Sequence, residues 1–341
     1  MQGTIYQFIT IKSILLIAIL YLTSCSGNNC DELEAYATIN VKLEVSRIED
    51  ELLALESSEE ALELLSDHPM LANQFWHAGQ YPNDTILSRR LFRLFQEPSI
   101  DTLIIETKEY FSDFETNIDE LQRAFRFVKY HYPKTKIPRI ETVITGFYND
   151  MYISDSLIIL GLDYFVGVNG RFQPNDIPNY IVRRYKKESL APIVMSFVSN
   201  EFNQPDQQHG TLLADMVNLG KSYYFVKQAL PCKADSLIIG YSAEEMKLVL
   251  ENQEVIWANL IENELLYETS HFLKNKFVGE SPNVAEISDK CPGRIGAWIG
   301  WEIVKKYMEK NADVSMTDLM KEKDAHMIFQ KSGYKPRNVK K

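Results

Sequence analysis

Between Thr211 and Tyr241 the mature chain carries its longest regular apolar pattern, and any fold it adopts must bury that pattern near its centre. Leu212, Met216, Leu219, Tyr223, Val226 and Leu230 recur at spacings of four and three, which aligns them along one face of a helix. A second row, Leu213, Val217, Gly220 and Tyr224, runs beside the first. The buried surface is therefore wider than a single seam, and several elements must pack around this helix. Pro231 ends it.

The first 24 residues read as an export signal: a polar start with Lys12, an apolar run from Ile14 to Leu22, then small or polar residues before a cysteine. Leu22-Thr23-Ser24-Cys25 resembles the bacterial lipobox, in which the cysteine is acylated and becomes the first mature residue. Several acyl chains hold a protein firmly at a membrane, because each buried methylene contributes about 0.8 kcal/mol. The apolar run is too short for a bilayer span, which needs roughly 20 residues. The expected division is signal peptide 1–24, lipidated tether 25–40, one domain over 41–337 and a basic tail 338–341.

A 341-residue chain that is 45% hydrophobic can bury a large core. Its net charge of -11 argues against nucleic acid as a partner. Of the four cysteines, Cys25 is assigned to the lipid and Cys30 falls in the tether. Cys232 and Cys291 are a candidate disulfide pair, with two separate thiols as the alternative.

Along the chain, the leucine- and glutamate-rich stretch Val41–Leu65 reads as a solvated helix with one buried stripe. Helices are also expected at Leu91–Phe95, Leu103–Phe111, Ile118–Tyr130, Ser189–Phe202, Glu244–Tyr267 and after Pro292. Ile140–Thr145 and Leu157–Leu162 read as neighbouring strands, the first at an edge and the second, apolar throughout, more central. Gly296 and Gly300 cost helix stability, about 1 kcal/mol each against alanine, and so imply a backbone approaching closely there. Ser242 with Glu245, and Ser315 with Asp318, read as helix-opening caps. The fold class is α+β, predominantly helical with a small β-sheet.

Several stretches stand out in order: AFRFVKYHYPKTKIP at 124–138, ITGF at 144–147, LIILGLDYFVG at 157–167 and IPNYIVRR at 177–184. They continue with LGKSYYFVKQALP at 219–231, IIGY at 238–241, NQEVIWANLIENELLYET at 252–269 and CPGRIGAWIGWEIVKKYMEKN at 291–311. Through this ordered set the chain resembles the gliding motility lipoprotein GldB family of Bacteroidota. The resemblance implies a lipoprotein of the cell envelope, at the outer membrane, needed for gliding or for the associated secretion machinery. Its partners would be the membrane, through Cys25, and other envelope proteins of that machinery. It implies no established reaction and no cofactor.

The strand pair followed by two helices is also similar to gluzincin-like metallopeptidases. Zinc hydrolysis needs two histidines four apart on a helix and a glutamate to activate water. None of the six histidines, 68, 77, 131, 209, 271 and 326, stands four residues from another. A zincin-like scaffold here would be degenerate, without metal ligands. Glu268 and His271 have a di-metal spacing but lack a second copy. Gly240-Tyr241-Ser242 lacks the closing glycine of a nucleophile elbow. Gly220-Lys221-Ser222 mimics the end of a phosphate loop, but Asp215 stands where that loop needs glycine. The remaining candidate is a polar cleft face on the central helix, formed by Asp215, Asn218 and Lys221. The alternative functions are a cryptic hydrolase and a ligand-binding lipoprotein, the latter with a cleft of exposed aromatics such as Trp257, Trp298 or Trp301.

Overall fold

The computed structural model describes residues 34–336. The export signal, Cys25, Cys30 and the tail 338–341 lie outside them. A short helix α1 (Glu34–Ala37) precedes strand β1 (Val45–Arg47) and the helices α2 (Ile48–Leu53), α3 (Ser58–Asp67), α4 (Asp84–Phe95) and α5 (Pro98–Tyr110). Helix α6 (Phe114–His131) leads to β2 (Arg139–Val143), β3 (Met151–Ile153) and β4 (Leu157–Gly161). Next come α7 (Asn179–Val182), α8 (Lys187–Ser199), the central helix α9 (Leu212–Ala229) and α10 (Asp235–Ile239). They are followed by α11 (Ala243–Glu251), α12 (Gln253–Glu262) and α13 (His271–Val278). A two-stranded pair, β5 (Asn283–Val284) and β6 (Ser288–Pro292), precedes α14 (Ile295–Lys310), α15 (Met316–Lys321) and α16 (Ala325–Ser332).

The larger sheet has the order β1-β2-β4-β3, with β1, β2 and β4 parallel and β3 antiparallel along the outer edge of β4. Helices cover both faces. Ile158 and Leu160 point into the larger core, shared with α6, α8, α9 and α14, while Leu157 and Ile159 point into a second core built with α2 to α5. Because side chains alternate across a strand, burial on both faces requires an unbroken apolar run, and β4 supplies one. β2 is therefore interior rather than an edge, since the short β1 pairs along its other side. That short strand also breaks the helix expected over Val41–Leu65: Leu43 precedes β1, Leu52 lies in α2, Leu55 in the turn after it, and Leu62 and Leu65 in α3. Folding begins earlier than Val41: Tyr36 is buried and meets the Phe127 ring edge-on at 6.0 Å.

The central helix forms as its periodicity predicts. Thr211 caps it by accepting a hydrogen bond from the Ala214 amide at 3.2 Å, and it stops at Leu230, before Pro231. It is buried on nearly every side. The closest neighbour is α14, and the glycines explain why. A Cβ on Gly220 would press on the carbonyl of Gly300 and lie 2.6 Å from the Trp301 amide nitrogen. A Cβ on Gly300 would overlap the Met216 carbonyl. The two backbones touch at this crossing, so neither position has room for a side chain.

Other helices differ from expectation for local reasons. Asn252, outside helical geometry, divides the expected Glu244–Tyr267 helix into α11 and α12. The cap expected at Ser315 opens α15, and a separate helix, α16, follows it, capped by Asp324. Ser242 and Glu245 complete a reciprocal capping box at α11. Helix α8 starts at Lys187, so Pro192 sits beyond its first turn and leaves the Glu188 carbonyl without its helical donor. Lys233 Nζ supplies that donor from outside, at 2.8 Å.

Candidate functional site

The polar residues of the central helix are spent on packing. Lys221 is 2% exposed, and its ammonium donates to the carbonyls of Gln204 and Glu322, both at 2.7 Å. Burial pushes its pKa down to about 8, which leaves it protonated at neutral pH. Asn218 offers its backbone carbonyl to Asn203 Nδ2 at 2.8 Å, and the same amide group reaches Ser222 Oγ at 2.9 Å. Asp215 pairs with Lys274 at 2.8 Å, and Lys274 also donates to the Gly210 carbonyl. Asp215, Asn218 and Lys221, the expected cleft face, are thus each engaged by other parts of the chain. Asn218, through its backbone, and Lys221 both fasten the loop at Asn203 and Gln204, Lys221 also reaches Glu322, and Asp215 fastens α13 through Lys274; none lines the cavities described next.

Cys232 and Cys291 are not bridged. Cys232 is exposed in the turn after α9, whereas Cys291 is buried in β6, where its surroundings push the thiol up to about 12. Trp298 and Trp301 belong to the core, and Trp257 packs against Phe329, tilted, and Tyr334, near-perpendicular. Glu268 accepts from the amides of Thr269 and Ser270 at the start of α13, while His271 is exposed. Among the described residues, no group of three or more His, Cys, Asp or Glu side chains could hold a metal ion.

A cleft of about 250 Å³ opens on the other side of the central helix, where Tyr223 reaches its floor. Helix α8 contributes Ser189, Pro192, Ile193 and Ser196, so the cleft lies on the two helices compared above with gluzincin-like metallopeptidases. Its charged groups come from elsewhere. Arg184, just before α8, donates through Nη1 to Glu280 Oε2 at 2.6 Å. Arg294, at the entry to α14, stands 3.4 Å through Nε from Glu280 Oε1. Behind the cleft, Arg294 donates from Nη1 to Tyr223 Oη at 3.0 Å and from Nη2 to the Ile239 carbonyl. Burial works against its charge, but Tyr223, Glu280 and Tyr241 more than offset it and hold the pKa above the ordinary guanidinium value.

The backbone is shaped to admit both arginines. Gly240 has φ 74°, and a Cβ there would lie 3.0 Å from Arg184 Cδ and 3.2 Å from Arg294 Nη2. Arg294 itself takes φ 60°, a conformation non-glycine residues seldom adopt.

A second cavity, about 420 Å³, lies beyond the C-terminal end of β2, between Trp76, Arg90 and Tyr148. Its wall is the turn Thr145–Tyr148, in which Gly146 and Phe147 both have positive φ. Asp163, 1% exposed, holds that turn by accepting from the Thr145 and Phe147 amides at 3.2 and 2.8 Å and from Thr145 Oγ1 at 3.0 Å. Burial nevertheless outweighs these bonds and raises its pKa from 3.8 to about 6. The folded protein thus keeps a proton on Asp163 in a range where the unfolded chain has lost it, so this group's contribution to stability declines as pH rises from about 4 to about 6. The stability difference between the wild type and Asp163→Asn should shrink by up to about 3 kcal/mol between pH 4 and pH 7 in urea unfolding. A constant difference would show that Asp163 ionises freely.

Arg184, Glu280 and Arg294 escape a motif search, because no spacing links residues so far apart, Arg184 and Glu280 alone being separated by 96 positions. Two faint signals exist: the paired arginines that end IPNYIVRR, and an arginine next to Gly293 at a helix start. No curated protein and no solved structure matches the chain. The family model described as gliding motility protein GldB matches residues 29–336, most of the sequence, and the chain belongs to that family.

Proposed function

We propose that the protein is a lipid-anchored component of the cell envelope, at the outer membrane, that serves gliding motility or its associated secretion machinery by binding rather than by catalysis. The observation that carries this reading is the family match across residues 29–336. The lipobox-like Leu22–Cys25 supports the anchor, and no helix among the described residues is long and apolar enough to cross a membrane. Guanidiniums facing a carboxylate suit the holding of a charged ligand, whereas water activation needs a base or a metal-ligating set aimed at the reacting atom. The partners are then the membrane, through acylated Cys25, and other envelope proteins of the machinery.

Deletion of the gene in a gliding host is expected to abolish colony spreading, and Cys25→Ala is expected to leave the membrane fraction and fail to restore it. Normal spreading in the deletion strain would remove the motility role.

A further inference from the structure

Arg184 and Arg294 converge on one carboxylate that is far more exposed than they are. Their side chains are 12% and 14% exposed, while that of Glu280 is 48% exposed and enters from the segment between α13 and β5. The arginines are secured from behind: Arg294 by Tyr223 and the Ile239 carbonyl, with its guanidinium 6.0 Å from the Tyr241 ring centre, and Arg184 over the Tyr180 ring at 5.6 Å. Glu280 makes no comparable set of contacts; among the described residues its polar partners are these two arginines. The Nε–H of Arg184 is buried with no hydrogen-bond acceptor, and that of Arg294 faces Glu280 Oε1 at 3.4 Å without hydrogen-bond geometry, so the resident carboxylate leaves donor capacity unfilled.

Gly240 is what lets the two guanidiniums approach the same point, as the Cβ distances above require. Next to them the cleft is apolar, with Ile193, Phe197 and Leu237 on its walls and Phe197 51% exposed. A site with this layout offers a bidentate cationic end and a greasy body.

We infer that the Arg184–Arg294 cleft binds a carboxylate carried next to an apolar group, as at the C-terminal residue of a peptide, and that Glu280 occupies the carboxylate position in its absence. An incoming carboxylate takes the place of the Glu280 side chain, which swings into solvent, and the ligand's apolar part lies against Ile193, Phe197 and Leu237. The half-exposed setting of Glu280 allows this exchange without disturbing the core. Its charge competes with the ligand, so the wild type binds weakly and the site opens when a partner presents its carboxylate at high local concentration. This inference deepens the binding role proposed above, but it is read on purified protein and so fails or stands separately from any spreading phenotype.

The test uses the full chain in detergent, as wild type, Glu280→Gln and the double variant Glu280→Gln with Arg184→Met. N-acetyl-leucine serves as probe, with N-acetyl-leucinamide and inorganic phosphate as comparisons, in calorimetric titrations. Glu280→Gln is expected to bind N-acetyl-leucine at least tenfold more tightly than wild type, the amide not measurably, and phosphate at least tenfold more weakly. The double variant is expected to lose the gain. As a second readout, sodium acetate should raise the melting temperature of Glu280→Gln by several degrees more than sodium chloride at equal ionic strength, with no such difference for wild type. Equal affinity in wild type and Glu280→Gln, together with no acetate effect, would overturn the site. Comparable binding of the amide would overturn the carboxylate's role, and preferred binding of phosphate would overturn the ligand class.

Discussion

Gly300→Ala is expected to lower the unfolding free energy by about 4 kcal/mol, because the added methyl group has nowhere to go. Alanine gains about 1 kcal/mol of helix propensity over glycine. Overpacking a tight contact ordinarily costs about 1–3 kcal/mol, and more when the neighbour cannot turn aside. Here the neighbour is backbone: a Cβ on Gly300 would overlap the Met216 carbonyl and lie 3.0 Å from the Met216 Cα. Helices α9 and α14 would have to separate, loosening Trp298, Trp301 and Phe225 together in the core they share. Against a usual total of roughly 5–15 kcal/mol, that is a large share. Urea unfolding measures it, with Gly210→Ala as the comparison, since nothing lies within 4 Å of a Cβ there. A loss below 1 kcal/mol in Gly300→Ala would show that the two helices are free to slide.

Lys221→Ala is expected to cost nearly as much, about 3–4 kcal/mol, for a different reason. The alanine leaves the carbonyls of Gln204 and Glu322 without the donor they share, at about 1–3 kcal/mol each, and leaves space where the fully buried stem lay. It also sheds the cost of burying an ammonium, which partly offsets these losses. Lys221→Met separates the contributions: it refills the stem but not the donor, and should recover about half the loss. In either variant, hydrogen exchange should quicken first around Gln204, whose amide donates to the Met320 carbonyl and so couples the loop after α8 to α15. Full recovery in Lys221→Met would mean that the ammonium does nothing beyond filling volume.

These two residues show how much could be read in advance. The central helix and β4 are long enough for their periodicity to fix both type and burial, and the glycines of α14 correctly announce a backbone contact. The partner of Gly300 could not be read, because helix crossings are set by tertiary packing. β1 and β3 escape because three residues cannot display a period of two. Lys221 misled for a clearer reason: a polar residue on an interior helix can meet solvent, a ligand or the chain's own carbonyls, and the residue type does not distinguish them. The arginine cleft was hidden because Arg184, Tyr223, Glu280 and Arg294 come from four separate segments.

The burial of Tyr36 sets a length scale. If Cys25 carries the lipid, the chain from there to Glu34 can extend by at most about 3.3–3.6 Å per residue, roughly 30 Å in all. A body of this size is about 50 Å across. With that anchor the leash is shorter than the load: the near side of the body would stay within about 30 Å of the bilayer, and whatever it meets there would have to come close to the membrane surface.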